Sequence, residues 1–158
     1  MVDVQREFFK DPATAQSLNR AIEYINAAIE LFRSKGLPIV CVQDREEAAG
    51  RIPGSEAFAL PESLNIRDSD IHITKTYGNS FNKTPLAETL RGMDVDTVII
   101  TGYCAEFCVL STCRGAMDQD FTALLLHGAL ASGDPRNIEF VERINHGLSF
   151  VALKKFLE

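Results

Sequence analysis

The sequence predicts a single α/β domain in which a mostly parallel sheet is covered by helices on both faces. Short apolar runs rich in β-branched residues, such as TVIIT at 97–101, alternate with longer segments whose apolar residues recur at helical spacing. This alternation is typical of right-handed β-α-β crossovers, which build parallel sheets. The chain has 158 residues, the size of one ordinary domain. Because neither a repeat nor a linker interrupts the pattern, residues 1–158 are predicted to fold as one domain.

The first half of the chain predicts a strand, a helix, a second strand and then a long loop. Residues 1–5 have the character of the end of a buried strand, and an amphipathic helix is predicted over 17–35, ended by Gly36. Residues 37–43, LPIVCVQ, form a continuous apolar run that suits a parallel strand covered on both faces. Residues 45–70 contain two glycines and two prolines among many charges, which indicates an irregular surface connection.

The second half continues the alternation of strands and helices. Strands are predicted at 71–75, 97–101 and 121–126, with a last short strand at 150–153. One helix is predicted from the N-cap Thr84 and the first-turn Pro85 to Arg91, and others over 106–118 and 135–145. Helices thus follow most strands, as the long crossovers of a parallel sheet require.

Composition and charge favour a small-molecule partner. The 16 basic and 22 acidic residues give a net charge of −6, which opposes non-specific binding to nucleic acid or to an anionic bilayer. The longest apolar runs are far too short to cross a hydrocarbon core of about 30 Å. The first residues, MVDVQREFF, lack the basic and then apolar layout of a signal peptide. We therefore expect a cytoplasmic protein whose four cysteines stay reduced.

Three reactive side chains are predicted at the ends of strands. Asp3 closes the first strand, Lys75 closes the 71–75 strand, and Cys108 lies in the first turns of the helix that follows Gly102. Ligands of open α/β sheets bind beyond the carboxyl ends of the strands. We therefore expect the three side chains to converge on one edge of the sheet.

This set of residues suits covalent acyl transfer. A lysine and a helix N-terminus both favour negative charge on a neighbouring cysteine, so Lys75 is predicted to hold Cys108 as a thiolate. A carboxylate such as Asp3 can accept the thiol proton and later return it to a leaving group. Backbone N–H groups of the turn GYCAEFC, residues 102–108, are candidate donors to an oxyanion.

Three motifs in the chain resemble those of a known superfamily. They are VDVQ followed by FF near the N-terminus, KTYGNSF at 75–81, and ITG at 100–102 with the dipeptide CV six residues after its glycine. In this order and spacing they resemble the isochorismatase-like hydrolases, which include nicotinamidases and N-carbamoylsarcosine amidohydrolases. The resemblance covers nearly the whole chain. It implies a three-layer α/β/α fold of Rossmann-like type with a six-stranded, mainly parallel sheet.

The resemblance also implies a role for each candidate residue. Asp3 would be the general acid and base, Lys75 would support the thiolate, and Cys108 would attack the substrate carbonyl. Members of the superfamily carry a cis peptide before the nucleophile, which here falls between Tyr103 and Cys104. The backbone N–H groups of Cys104 and Cys108 would then bind the oxyanion. Because members tend to be oligomers, a homo-oligomer, either a dimer or a tetramer, is also expected.

The sequence departs from the nicotinamidases at their metal site. Those enzymes bind a metal with an aspartate, a histidine two residues later and a further histidine in the long loop. Here the corresponding residues are Asp44, Arg45 and Glu46, and the loop has no histidine. The three histidines of the chain are scattered without the spacing of a zinc site. A hydrolase without metal or other cofactor is therefore expected, and the cysteine favours amide, ureido or related acyl substrates.

Residues beside the motifs are candidates for the wall of a substrate pocket: Gln5, Phe8, Tyr77, Phe81 and Tyr103. Phe8 and Phe81 fit a place in the hydrophobic core equally well, because aromatic side chains supply much of the apolar area that domains bury.

The three candidate catalytic residues also have ordinary structural explanations. Cys108 could be a small buried apolar residue, because free cysteine is among the most buried residue types. Asp3 could occupy a turn, and Lys75 could be a solvated lysine at a strand end.

Two alternative functions remain open at the level of sequence. The first is hydrolysis of a vinyl ether of the isochorismate type, which does not need the cysteine. The second is a non-catalytic binding or scaffolding module in which Cys104 and Cys108 sense oxidants.

Overall fold

The computed structural model describes residues 1–158, which form five strands and five helices. The strands are β1 (Val40–Asp44), β2 (Ile71–Lys75), β3 (Thr97–Gly102), β4 (Thr122–Leu130) and β5 (Gly147–Leu148). The helices are α1 (Pro12–Ser34), α2 (Leu86–Arg91), α3 (Leu110–Asp118), α4 (Pro135–Arg143) and α5 (Phe150–Phe156). Two short 3-10 turns, Arg6–Phe9 and Glu47–Ala49, and one π-helical turn, Ala105–Val109, complete the secondary structure.

Val2 joins the strands into one row of parallel neighbours. β1 pairs with β2, and β3, β4 and β5 pair in that order, all in parallel. Val2 bridges Val42 of β1 on one side and Gly102 of β3 on the other, also in parallel. The row is therefore β2-β1-Val2-β3-β4-β5, in which the N-terminal segment is the third of six neighbours. The chain order reverses at this segment, which is the topological switch point where open α/β sheets bind ligands.

Helices cover both faces of the sheet, which confirms the predicted three-layer architecture. Successive residues of a strand point to opposite faces, and β4 illustrates the result. Leu125 belongs to a core with the buried residues of α2, α3 and α4, whereas Leu126 belongs to a second core with those of α1 and α5. Each core lies between the sheet and one helical layer.

The first helix begins earlier than the apolar pattern predicts. α1 starts at Pro12 rather than at residue 17, because Asp11 caps it and accepts a hydrogen bond from the Thr14 N–H at 2.8 Å. An aspartate N-cap followed by proline at the first helical position is a common helix start. Although α1 has 23 residues, none of the helices has both the length and the apolar character to cross a membrane.

The predicted strand at 150–153 is wrong. Those residues belong to α5, and the last strand is the shorter β5, whose Gly147 and Leu148 pair with Leu125 and Leu126. The helix forms because the Ser149 side chain caps it, accepting a hydrogen bond from the Ala152 N–H at 3.2 Å. A serine N-cap outweighs the strand preference of the aromatic and β-branched residues that follow it.

Gly102 brings the N-terminal segment against β3. Its φ of 117° is in the region that favours glycine, and a Cβ atom there would lie 2.0 Å from the Val2 carbonyl oxygen. We expect Gly102→Ala to destabilise the protein by about 3 kcal/mol or more, because it adds this clash to a strained backbone. Chemical denaturation would measure the loss. Gly36→Ala, which has a φ of 66° and no atom within 4 Å of the added Cβ, is the matched control and should cost clearly less.

A largely apolar cavity lies at the other end of this segment. It has a volume of about 620 Å³, and its lining includes Met1 and the first residues of β1 and β3, Val40 and Thr97. The Met1 ammonium group donates to the Val40 carbonyl oxygen at 3.0 Å, and burial lowers its pKa. None of the three candidate catalytic residues lines this cavity, so it is separate from the candidate site.

Candidate active site

Asp3, Lys75 and Cys108 lie together at the carboxyl edge of the sheet, as the sequence predicts. The Lys75 Nζ atom lies 2.7 Å from Asp3 Oδ2 and donates to Cys108 Sγ at 3.4 Å. The side chains of Lys75 and Asp3 are 0% and 1% exposed, respectively, whereas Cys108 is half-buried. A buried carboxylate and a buried ammonium thus lie beside a thiol that is partly exposed.

The switch point of the sheet positions all three residues. The Asp3 N–H donates to the Val42 carbonyl oxygen at 2.9 Å, and its φ of 52° turns the chain out of the sheet. Aspartate tolerates this left-handed conformation better than most residues. Lys75 is the last residue of β2, and Cys108 lies in the π-helical turn Ala105–Val109. Such single π-helical turns are frequent at functional sites.

Lys75 has a further anionic neighbour in Asp44, which the sequence marks only as the counterpart of a metal ligand. Asp44, the last residue of β1, places its Oδ1 atom 3.4 Å from Lys75 Nζ. Its Oδ2 atom accepts from Arg51 Nη2 at 2.7 Å, and the same Nη2 atom donates to Glu46 at 2.7 Å. Asp44 could have been recognised from its strand-end position, but Arg51 lies in the irregular loop, where no sequence pattern marks it.

The Asp3 carboxylate is poised for proton exchange. Burial raises the pKa of Asp3 to about 6, although the Lys75 ammonium opposes the shift. No backbone N–H or hydroxyl group donates to its carboxylate oxygens, and its neighbours are the Lys75 ammonium and the Cys108 thiol. A carboxyl group with a pKa near neutrality can act as both base and acid at physiological pH.

The surroundings of Cys108 oppose the thiolate that the sequence predicts. Burial, and then the negative charge of Asp3, raise the pKa of the Cys108 thiol to about 12, and Lys75 offsets this only in part. For Lys75 itself, burial lowers the pKa, but Asp3, Cys108 and Asp44 together raise it above its ordinary value. These directions favour a neutral thiol beside a carboxylate and an ammonium.

The turn before Cys108 carries a backbone N–H group without a partner in the protein. The peptide bond between Tyr103 and Cys104 is cis. The Cys104 carbonyl oxygen accepts from the Phe107 and Val109 N–H groups, each at 3.1 Å, while the Cys104 N–H has no acceptor in the protein. An N–H group left free next to a nucleophile is available to a developing negative charge.

The five candidate pocket residues fall into different environments. Phe8 and Tyr103 stack with ring centroids 4.6 Å apart, and the Arg51 guanidinium lies 4.9 Å from the centre of the Phe8 ring. The pair thus connects Arg51, which lies over Phe8, with the turn at 102–108 that contains Tyr103 and Cys108. They therefore fit a pocket wall.

The other three candidates are less suited to contact a substrate. Gln5 is fully buried, and its amide binds the backbone of Asp44, donating at 3.0 Å and accepting at 2.8 Å. Phe81 stacks on the core residue Phe121 with centroids 5.6 Å apart. Tyr77 is exposed, and its hydroxyl accepts from Lys83 at 3.0 Å. Gln5 and Phe81 thus serve the scaffold.

The acidic residues near the nicotinamidase-like metal position have another partner. Asp44 and Glu46 both pair with the buried Arg51, whose charge neutralises part of theirs. No group of three or more histidine, cysteine, aspartate or glutamate side chains in the chain is arranged to hold a metal ion.

Known proteins resemble this chain over most of its length. Residues 1–143 match the Isochorismatase domain family. The uncharacterized isochorismatase family protein YrdC of Bacillus subtilis (strain 168) is 32% identical over 134 residues, which cover 84% of this chain and 72% of YrdC. The ureidoacrylate amidohydrolase RutB of Methylobacterium radiotolerans is 32% identical over 85 residues, 54% of this chain and 33% of RutB.

One solved structure is similar to this chain in both fold and sequence. The crystal structure of an isochorismatase family protein superposes with a TM-score of 0.84 at 28% identity, covering 94% of this chain and 95% of that one. The match to the Isochorismatase domain includes Asp3, Lys75 and Cys108. The chain therefore belongs to the isochorismatase family of hydrolases.

Proposed function

We propose that this chain hydrolyses a small amide or ureido compound through a thioester on Cys108. The observation that carries the proposal is the contact set in which Lys75 Nζ lies 2.7 Å from Asp3 and 3.4 Å from Cys108 Sγ. A nucleophile within reach of a base that is itself held by a third group is the signature of covalent catalysis. The half-buried thiol at this site gives a small carbonyl compound access to the nucleophile.

Acylation begins with the neutral thiol. Sγ forms a bond to the substrate carbonyl carbon while the thiol proton passes to the Asp3 carboxylate, and the carbonyl oxygen becomes an oxyanion near the Cys104 N–H. The C–N bond then breaks, and the departing nitrogen takes the proton from Asp3. The products of this half-reaction are a thioester and ammonia or an amine.

Deacylation reverses the proton path with water as the nucleophile. Asp3 accepts a proton from the attacking water, the C–S bond breaks, and the sulfur regains a proton from Asp3. The net reaction consumes one water and yields an acid and an amine. Lys75 stays charged throughout and stabilises whichever of Asp3 and Cys108 is anionic, because it contacts both.

The relatives support the substrate class. RutB is named for an amidohydrolase that acts on a ureido compound, and a nucleophilic cysteine suits attack on amide and ureido carbonyls. Because the match covers only 33% of RutB, it supports ureido compounds as the first class to test but does not indicate a specific substrate.

The two alternatives from the sequence have less support. Hydrolysis of a vinyl ether gives no role to the Lys75–Cys108 contact. Oxidant sensing would require the Cys104 thiol to contact Cys108. The Sγ atom of Cys104 instead donates to Glu106 Oε2 at 2.9 Å. The Cys104 side chain is thus held by a partner other than the nucleophile.

A substrate screen with trapping of the intermediate tests the proposal. The purified chain is incubated with a panel of primary amides and N-carbamoyl compounds, and ammonia release is measured. Acid quenching followed by peptide mass spectrometry then locates any acyl group. We expect release from at least one N-carbamoyl compound and an adduct on Cys108. The thioester route would be contradicted by turnover without an acyl adduct on Cys108 that persists in a variant lacking this thiol.

The proposed roles predict a simple pH profile for an active substrate. Asp3 must be ionised to accept the thiol proton, and burial raises its pKa to about 6, so kcat/KM should fall tenfold per pH unit below about pH 6. Because the pKa of Cys108 is raised to about 12, the rate should stay level from about pH 7 to 9. Initial rates across pH 4.5–9.5 measure both limbs. A rate that keeps rising through pH 8–9 would show that thiol ionisation precedes attack.

A further inference from the structure

A hydrogen-bonded cluster behind the oxyanion-binding turn takes no part in the steps above. At its centre is the carboxylate of Glu106, two residues before the nucleophile. Its Oε2 atom accepts from Cys104 Sγ at 2.9 Å, and its Oε1 atom accepts from Ser132 Oγ at 3.0 Å and from Asn137 Nδ2 at 2.6 Å. Three donors from three parts of the chain thus meet on one side chain.

This cluster ties the turn to the end of β4 and to α4. Ser132 follows β4, and Asn137 lies in the first turn of α4. The backbone is joined at the same place, since the Ala105 N–H donates to the Ala131 carbonyl oxygen at 2.8 Å. The turn is therefore attached to the end of β4 in two ways. The Ala105 backbone binds Ala131, and the Cys104 side chain is linked to Ser132 through Glu106.

We propose that Glu106 is a positioning residue for oxyanion binding, and that it acts by anchoring the Cys104 side chain so that the Cys104 N–H faces the reacting carbonyl. The inference rests on the proposed function, because it assumes that Cys108 attacks a carbonyl group. It assigns Cys104 the role of a hydrogen-bond donor instead of a redox-active thiol.

The charges of the cluster suit an anchor. Burial alone would raise the pKa of Glu106, but the hydrogen bonds from Cys104, Ser132 and Asn137 lower it, so the group is a carboxylate. Burial, and then the Glu106 carboxylate, raise the pKa of Cys104 to about 12, so its sulfur keeps the proton that it donates. Hydrogen bonds to an ionised acceptor are roughly twice as strong as neutral ones, and fixed donors are what oxyanion stabilisation requires.

The role of Cys104 predicts which substitutions are tolerated. Serine at 104 can still donate to Glu106, so Cys104→Ser keeps the anchor, whereas Cys104→Ala removes the donor. Glu106→Gln keeps the size of the side chain but removes its charge and presents an amide that offers only one oxygen to the three donors. A role limited to protein stability would not distinguish oxyanion formation from other reactions of Cys108.

Two reactions of Cys108 make this distinction without a known substrate. Butanal adds to the thiol to give a hemithioacetal: the S–C bond forms, the C=O double bond becomes a single bond, and the thiol proton ends on the oxygen, which occupies the oxyanion position. Iodoacetamide alkylates the same sulfur by displacing iodide at a CH₂ group, so no oxyanion forms. The concentration of butanal that halves the alkylation rate of Cys108, located by peptide mass spectrometry, measures oxyanion binding.

We expect Cys104→Ala and Glu106→Gln to need about tenfold more butanal than the wild type, because loss of an oxyanion donor itself costs about 10²-fold or more in rate. Cys104→Ser should stay within about twofold of the wild type, and alkylation without butanal should be unchanged in all four proteins. Equal butanal protection in all four would overturn the inference and leave the proposed function intact. Absence of protection in the wild type would instead contradict carbonyl attack by Cys108, which is the proposed function itself.

Discussion

Replacement of Cys108 by alanine is expected to reduce turnover by about 10⁴-fold or more, because no other group can form the covalent intermediate. Lys75 and Asp3 would still face each other at 2.7 Å, but neither would have a thiol to serve. Cys108→Ser should be nearly as inactive, since the hydroxyl proton is harder to remove than that of a thiol. Ammonia release from the best N-carbamoyl compound or amide, followed at saturating substrate, measures the loss.

Cys113→Ala is the matched control for this change. Cys113 is buried in α3, and its Sγ atom lies 3.5 Å from Asn145 Oδ1 and makes no hydrogen bond to Asp3, Lys75 or Cys108. The control should keep turnover within about threefold and lose only the stability expected for a small core truncation, about 1 kcal/mol. If Cys108→Ala retained activity while Asp3→Ala did not, the vinyl ether alternative would replace the thioester route.

The position of the candidate catalytic residues could be predicted because it follows from local patterns. The alternation of apolar strands with helices fixes a parallel sheet, and the carboxyl ends of parallel strands lie at one edge. Asp3 and Lys75 each close a recognisable strand, and Cys108 follows the turn at Gly102. Their convergence on one edge of the sheet therefore needed only the order of the elements.

The protonation state of the site could not be predicted in the same way. The sequence indicates which charges lie near Cys108 but not their distances or depth, and the balance between Asp3 and Lys75 depends on both. In the structure the burial of Cys108 and its proximity to Asp3 outweigh the effect of Lys75. Desolvation of this kind is a property of the packed domain.

Other features were missed because they join segments without a pattern. Arg51 comes from the irregular loop and reaches Asp44 and Glu46 only after that loop folds over the sheet edge. Glu106 meets Ser132 and Asn137 across 26 and 31 residues of sequence. By contrast, the start of α5 had a readable signal in Ser149.

Asp3→Asn is expected to make Cys108 more acidic and yet abolish catalysis. The Asp3 charge helps to raise the pKa of the thiol, so its removal leaves the Lys75 ammonium without this counter-charge and favours the thiolate. A charge within about 4–6 Å shifts a pKa by about one unit or more. The midpoint of Cys108 alkylation by iodoacetamide should therefore move to lower pH by at least about one unit. Turnover should fall about 10³-fold, because the leaving group and the water lose their proton carrier.

A more acidic Cys108 combined with a lower turnover in Asp3→Asn distinguishes two explanations of how the thiolate forms. Lys75→Met removes the cation and should move the alkylation midpoint to higher pH, which provides the matched control. If Lys75 alone held a thiolate in the resting site, Asp3→Asn would leave the midpoint near its wild-type value, and that value would lie well below the ordinary thiol pKa of about 8.5. A wild-type midpoint above 8.5 that Asp3→Asn lowers would establish that Asp3, through its charge and its proton, controls when the nucleophile forms.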